Sequence, residues 1–287
     1  MAAPAGTERP ARGSPRELPV ALEIDGVPVH VEGHGEEALL MIHGWPDTAR
    51  LWDAQVAAFG DAFRCVRFTL PGFDVARGAR PLPLAGVTDL IGRIADAVSP
   101  QRPLALLLHD WGCAFGYEWA LTCPGRVRRI VGVDVGDAGS PAHVRSLRLR
   151  DKAAIAAYQG WLIAAWRIGG ARGDAMSRGF ARLARAPGDP ATIGHAMNQP
   201  YALLWSGAYA DFQRRMRAGF EPPCPMLYVF GRRKPLQFHS PSWAARLDQR
   251  PGCRAVGLDS GHWPMVERAQ EFNGVVREWL LKGNGVP

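Results

Sequence analysis

Short runs rich in Val, Ile, Leu and Met recur along the chain, at 28–32, 38–42, 65–70, 104–108, 129–133, 226–230 and 255–258, and each stops at Gly, Pro, Asp or a neighbouring polar residue. In most of them the apolar residues are consecutive, which is the pattern of strands covered on both faces. Between the runs, apolar positions three and four apart predict helices over 48–59, 84–98, 112–122 and 265–281. Strand and helix therefore alternate, which predicts an α/β class with a mostly parallel sheet and crossover helices. Residues 140–219 break the alternation. They hold no good strand run but carry Tyr158, Trp161, Trp166, Tyr201 and Trp205 at helical spacings, and so predict a helical cap (140–219) inserted after the sixth strand into a core made of 20–139 and 220–287. Four prolines before Val20 make 1–19 a flexible tail.

Composition narrows the class. With 47% hydrophobic and 21% charged residues the chain has the apolar content of a globular protein and lacks that of a disordered one. No apolar run approaches the ~20 residues of a membrane span, and the N-terminus has no apolar stretch of a secretory signal; a cytoplasmic protein with no membrane partner is expected. The five cysteines are scattered without zinc-site spacing, so they read as reduced thiols and no metal is expected. Of 34 basic residues all but Lys152, Lys234 and Lys282 are Arg, and they spread over the whole chain. A nucleic-acid binder would gather them on one element, so no nucleic-acid partner is expected, and the oligomeric state stays between monomer and homodimer.

Open parallel sheets bind ligands at the carboxyl ends of their strands, and the residues there carry chemistry. His43-Gly44-Trp45-Pro46 follows the run 38–42, His109-Asp110-Trp111-Gly112 follows 104–108, Asp134 follows 129–133, and Asp259-Ser260-Gly261-His262-Trp263 follows 255–258. Two carboxylates and a histidine thus meet at one edge. Asp110 occupies the strand-turn-helix position of an exposed nucleophile, where a Ser would be needed for acyl-serine chemistry. The Asp has its own logic. A carboxylate attacking a saturated carbon forms an ester that water can hydrolyse, whereas a serine would leave an inert ether.

The stretch LHDWGCAFGYEWA with PGRVRRIVGVDV, the upstream HGWPD and the downstream SGHW resemble the epoxide hydrolase and haloalkane dehalogenase branch of the α/β-hydrolases. The resemblance runs from about Val20 onward. It implies the α/β-hydrolase fold, with a mostly parallel eight-stranded sheet and a cap after strand 6, and a hydrolase that needs no cofactor. It further implies Asp110 as nucleophile, His262 as the base that activates water, and backbone N–H groups of Trp45 and Trp111 as oxyanion donors. Many relatives place the acid that orients the histidine after strand 7, where this chain has Gly231-Arg232-Arg233-Lys234-Pro235. Asp134 after strand 6 is therefore the expected acid and Asp137 the alternative, with Asp259 a turn residue. Leu108 departs from the small residue usual two places before the nucleophile.

The leaving atom separates the two activities. An epoxide oxygen needs O–H donors, which Tyr158 and Tyr201 offer from two cap segments, with Tyr209 as a substitute. A halide needs N–H donors, available from Trp111 and from Trp161, Trp166 or Trp205. Trp45 stands where many dehalogenases place a halide-binding Asn, so epoxide opening is the first reading and haloalkane or haloacid dehalogenation the alternative. Two rivals stay open: a non-catalytic ligand-binding member of the fold, and a lactonase or esterase using Asp110 as base. The cap indoles read as a wall for a small apolar substrate. Singly, Asp110 could cap a helix, His262 could be a core histidine, and Asp134 could cap a turn. His109 should be buried on the opposite face of its strand. The KPLQFHS stretch has no chemical account from sequence beyond a pairing of Lys234 with Asp134 or Asp259.

Overall fold

The computed structural model describes residues 18–78 and 83–282; most of the expected tail, 1–17, lies outside them. Eight strands among these residues, β1 (Leu22–Ile24), β2 (Val27–Glu32), β3 (Ala38–Ile42), β4 (Arg64–Phe68), β5 (Leu104–His109), β6 (Val127–Val133), β7 (Met226–Gly231) and β8 (Arg254–Leu258), form one sheet. Their order is β1-β2-β4-β3-β5-β6-β7-β8. β2 pairs antiparallel with β1 and with β4; from β4 to β8 every pairing is parallel. Strand β1, too short and exposed to give an apolar run, is the one that the pattern of the sequence leaves out.

The continuous apolar runs have a simple cause. Successive strand residues point to opposite faces, and here each face has its own core. Leu40, Ile42, Leu106, Leu108 and Ile130 enter one cluster, and Leu39, Met41, Ala105, Leu107 and Val131 enter the other. A polar residue at either parity would lie in one of two interiors.

Helices α1 (Asp53–Phe59), α2 (Leu84–Val98) and α3 (Trp111–Thr122) belong to the first half of the sheet. Between β6 and β7 every regular element is helical: α4 (Pro141–Ser146), α5 (Leu149–Ile168), α6 (Gly170–Leu183), α7 (Gln199–Trp205) and α8 (Ala210–Ala218), with short 3-10 turns. These form the cap. α9 (Pro241–Asp248), α10 (Pro264–Glu267) and α11 (Ala269–Lys282) complete the sheet's cover, so the single helix expected over 265–281 is two. No helix among the described residues is long and apolar enough to cross a membrane.

Cap and sheet are joined by buried polar contacts. Glu118, on α3 and 4% exposed, accepts two hydrogen bonds from Arg215 of α8, one of them at 2.9 Å. The indole of Trp45 donates to Asn198 Oδ1 at 2.7 Å. Asn198 Nδ2 donates to Ser177 Oγ at 2.8 Å, and Ser177 donates to the Gly173 carbonyl at 2.9 Å. Asn198 and Ser177 are fully buried, and the chain leaves each of these side-chain groups a partner, which is the condition for a polar network to be tolerated inside a protein.

Candidate active site

The turn after β5 holds Asp110 at φ 52°, ψ −118°. This left-handed conformation is unfavourable for a side chain larger than Gly and recurs at functional turns. It lifts the carboxylate out of the helix: Asp110 precedes α3 yet makes no side-chain cap bond to it, so helix capping does not account for the residue. Oδ1 accepts the Trp45 N–H at 2.7 Å. Oδ2 faces His262 Nε2 at 3.5 Å. The two oxygens thus have different surroundings, one held by the loop after β3 and one turned toward the histidine.

Glycines allow the close approach. A Cβ on Gly44 would stand 2.4 Å from Asp110 Oδ1 and 2.5 Å from the Trp111 nitrogen, and one on Gly112 would stand 2.2 Å from the Ile42 carbonyl oxygen. Gly44→Ala is expected to destabilise the fold by about 1–3 kcal/mol through this overpacking, a loss that denaturant unfolding would register. The departure at Leu108 is matched in the second turn of α3: a Cβ on Gly116 would meet the Leu108 side chain at 2.5 Å. The larger residue fits because α3 presents a glycine to it.

His262 bridges the two carboxylates. Its Nδ1 donates to Asp134 Oδ2, which leaves Nε2 toward Asp110. Asp134, fully buried at the end of β6 with φ 69°, also accepts the Gly231 N–H on Oδ1 at 3.0 Å and Lys234 Nζ on Oδ2. Burial alone would raise the Asp134 pKa, but the Lys234 cation and His262 bring it below the usual carboxylate range. Burial likewise works against a charged His262; Asp134 and Asp110 outweigh it and push the imidazole up to about 9. Burial opposes ionisation of Asp110 too, and His262 with the Trp45 N–H more than compensates. Resting Asp110 and Asp134 are therefore carboxylates about an imidazolium.

Asp137 is placed elsewhere. Its oxygens accept from Ser240 N at 2.6 Å, Ser140 Oγ at 2.6 Å and Ser240 Oγ at 2.8 Å, so it ties the β6 exit to the start of α9, and Asp134 is the carboxylate brought to His262. Asp259 pairs on the surface with Arg233 and Arg268. His109 is buried, as its strand position requires, and its Nε2 lies 3.0 Å from the His262 carbonyl. His43, fully buried and pushed by that burial to about 4, donates from Nδ1 to the Gly44 carbonyl and accepts the Leu70 N–H on Nε2; it holds the loop that carries Trp45. Asp47, pushed by burial up to about 7, accepts the Trp263 indole N–H at 2.9 Å.

A cavity of about 390 Å³ opens over Asp110. Tyr158 of α5 and Tyr201 of α7 line it together with Trp111, and the remaining wall is largely apolar, with Leu147, Ile155, Leu204, Phe212 and Met216. The two tyrosine rings meet edge to face at 6.1 Å. Burial raises the pKa of both hydroxyls, and the Asp110 charge adds to it. The cap indoles do not form the wall that their spacing suggested. Trp161 and Trp205 are 49% and 62% exposed and donate to the Met176 carbonyl and to Gln159; neither they nor Trp166 line the cavity. Tyr209 is buried against Trp111 and Phe115, outside the lining. Sequence reasoning missed Asn198, whose contact with Trp45 spans 153 residues and leaves no local signal.

Residues 39–275 match the family model described as the alpha/beta hydrolase family. The chain belongs to that family. Among relatives, it is 30% identical over 128 residues to the "Probable oxidoreductase EphD" of Mycobacterium tuberculosis, a match covering 42% of this chain and 21% of that protein. It is 31% identical over 131 residues to an epoxide hydrolase of Caballeronia sordidicola, covering 43% of this chain and 38% of that one. The matches therefore span well under two thirds of these relatives. Among solved structures, a Bacillus megaterium epoxide hydrolase in complex with an inhibitor superposes with a TM-score of 0.64 at 22% identity, over 90% of this chain and 99% of that one. That likeness speaks for the hydrolase fold.

Proposed function

We propose that the protein hydrolyses epoxides to diols through an ester on Asp110. The observation that carries this reading is that Tyr158 and Tyr201 open into the same cavity as the Asp110 carboxylate. Asp110 Oδ2 attacks an epoxide carbon, the carbon–oxygen bond of the ring breaks, and a tyrosine hydroxyl gives its proton to the departing oxygen. The Asp110 charge that holds the tyrosine pKa up is consumed in the same step, so the donors become more acidic as the alkoxide forms. With Asp110 esterified, the imidazolium passes its Nε2 proton to the tyrosinate; the neutral imidazole then takes a proton from water, and the hydroxide oxygen attacks Cγ of the ester. The oxyanion that develops on Oδ1 meets the Trp45 N–H already in place, with the Trp111 N–H beside it at the start of α3. The acyl–oxygen bond breaks, the imidazolium protonates the diol oxygen, and the proton released as Asp110 re-ionises returns to His262, which restores the resting imidazolium. Asp134 orients His262 throughout.

The halide reading keeps one support, the Trp111 indole at the cavity wall. It lacks the second donor, because the Trp45 indole is given to Asn198 and the cap indoles lie outside. The test is a comparison of styrene oxide and 1-bromobutane turnover in Tyr158→Phe, Tyr201→Phe and the double variant. Each single change is expected to lower kcat/KM on styrene oxide by about 10²-fold, the usual contribution of a general acid, and the double change to remove turnover. Undiminished epoxide turnover in the double variant, or turnover of the bromide alone in the parent protein, would overturn the proposal.

A further inference from the structure

The stretch KPLQFHS fills the position after β7 with a cation where many relatives carry an acid, and the structure accounts for its residues. Phe238 forms a parallel bridge with Val135 and lines the cavity. His239 Nδ1 lies 3.0 Å from the Tyr228 hydroxyl. Lys234, its side chain only 6% exposed, lies over the Phe238 ring at 4.8 Å from the centroid and reaches the Asp134 carbonyl oxygen at 3.1 Å. Its Nζ also donates to Asp134 Oδ2, the oxygen that accepts from His262 Nδ1. One carboxylate oxygen is thus shared by a buried ammonium and the imidazole.

We propose that Lys234 is a positioning residue of the ester-hydrolysis step: it cancels part of the pull of Asp134 on His262, so that the imidazole gives up its proton once Asp110 has become an ester. The proposal rests on the reading of Asp110 as the ester-forming nucleophile. The titratable and charged groups facing His262 are Asp110 and, through its ring contact, His109 on the β5 side, which burial pushes down to about 3 and keeps neutral, Asp134 after β6 with Lys234 behind it after β7, and Asp47 after β3. Before attack, two carboxylates outnumber one ammonium and favour the imidazolium. Afterwards the ester is neutral, Asp134 and Lys234 form a compensated pair, and Asp47, pushed by burial up to about 7, carries only part of a charge at neutral pH. The histidine then faces little net charge and can serve as a base. Without Lys234 the Asp134 carboxylate would act on it undiminished, and Nε2 would keep its proton when water needs an acceptor.

The decisive measurement is an NMR titration of the His262 ring in Asp110→Asn, whose neutral amide stands in for the ester, with and without Lys234→Met. The midpoint is expected to rise by about one pH unit or more on removal of the cation, the usual effect of one nearby charge, and Lys234→Arg should keep it near the parent value. In the active enzyme, Lys234→Met should displace the acid limb of ester hydrolysis to higher pH by the same amount and keep the rate above it. If the Met variant does not fold, Lys234→Gln, which can still donate to Asp134 but carries no charge, replaces it. An unmoved midpoint, or a loss of rate equal at every pH, would overturn the proposal and leave the nucleophile reading standing. A moved midpoint in a protein that forms no Asp110 adduct with styrene oxide would instead overturn the nucleophile reading, and with it the hydrolytic role of Lys234.

Discussion

Asp110→Asn should reduce epoxide turnover by about 10⁴-fold or more, the scale on which removal of a covalent nucleophile is felt, while leaving the fold in place. The amide has the size of the carboxylate and its Oδ1 can still accept the Trp45 N–H that Asp110 accepts at 2.7 Å. What is lost is the free Oδ2 and its electron pair. The check is kcat together with the thermal transition of the same preparation: inactivity in a protein that melts like the parent would place the loss in the chemistry. Substantial residual turnover would mean that Asp110 serves neither as nucleophile nor as base.

His262→Gln separates the two half-reactions. The first needs a tyrosine proton and an ionised Asp110, which His262 favours but the Trp45 N–H also holds; the second needs a base at Nε2. The variant should therefore open the ring within about an order of magnitude of the parent rate and then hydrolyse the ester about 10³-fold more slowly, within the range of general-base contributions. Intact-protein mass spectrometry after styrene oxide would show one substrate mass added, and peptide mapping would put it on Asp110. Rapid regeneration of free enzyme would remove His262 from the role of base. The sign of the pH dependence follows from the same charges. Since the imidazole of the resting enzyme is held up to about 9 by two carboxylates, and one of them disappears on alkylation, the acid limb of the hydrolytic step should fall well below the titration of the resting histidine.

The strands, their parallel pairing and the Asp110, His262 and Asp134 constellation were legible in the sequence for one reason. Each chemical residue lies within four residues of the end of an apolar run, and in a parallel sheet all such runs end on the same edge. Asp134 could be weighed against Asp137 only up to a point, because two carboxylates three residues apart at a strand exit differ in direction, and direction is set by the positive φ at Asp134. The cap was less legible. Helical spacing shows that Trp161, Tyr158 and Tyr201 lie on helices but not which face meets the cavity, and the tyrosines face inward while Trp161 and Trp205 face out. Contacts such as Gly116 under Leu108 or Asn198 at Trp45 depend on tertiary proximity and carry no periodic signature.

The polar joints between cap and sheet bear on how such a protein can change over time. A cap acquired from a relative without an amide at position 198 would bury the Trp45 indole N–H with no acceptor, and one without a cation at position 215 would leave Glu118 buried and unpaired. Each defect costs about 1–3 kcal/mol, more for the charged group. The apolar wall residues can therefore change one at a time, whereas wholesale exchange of the cap must bring compensating changes at Trp45 and Glu118 with it.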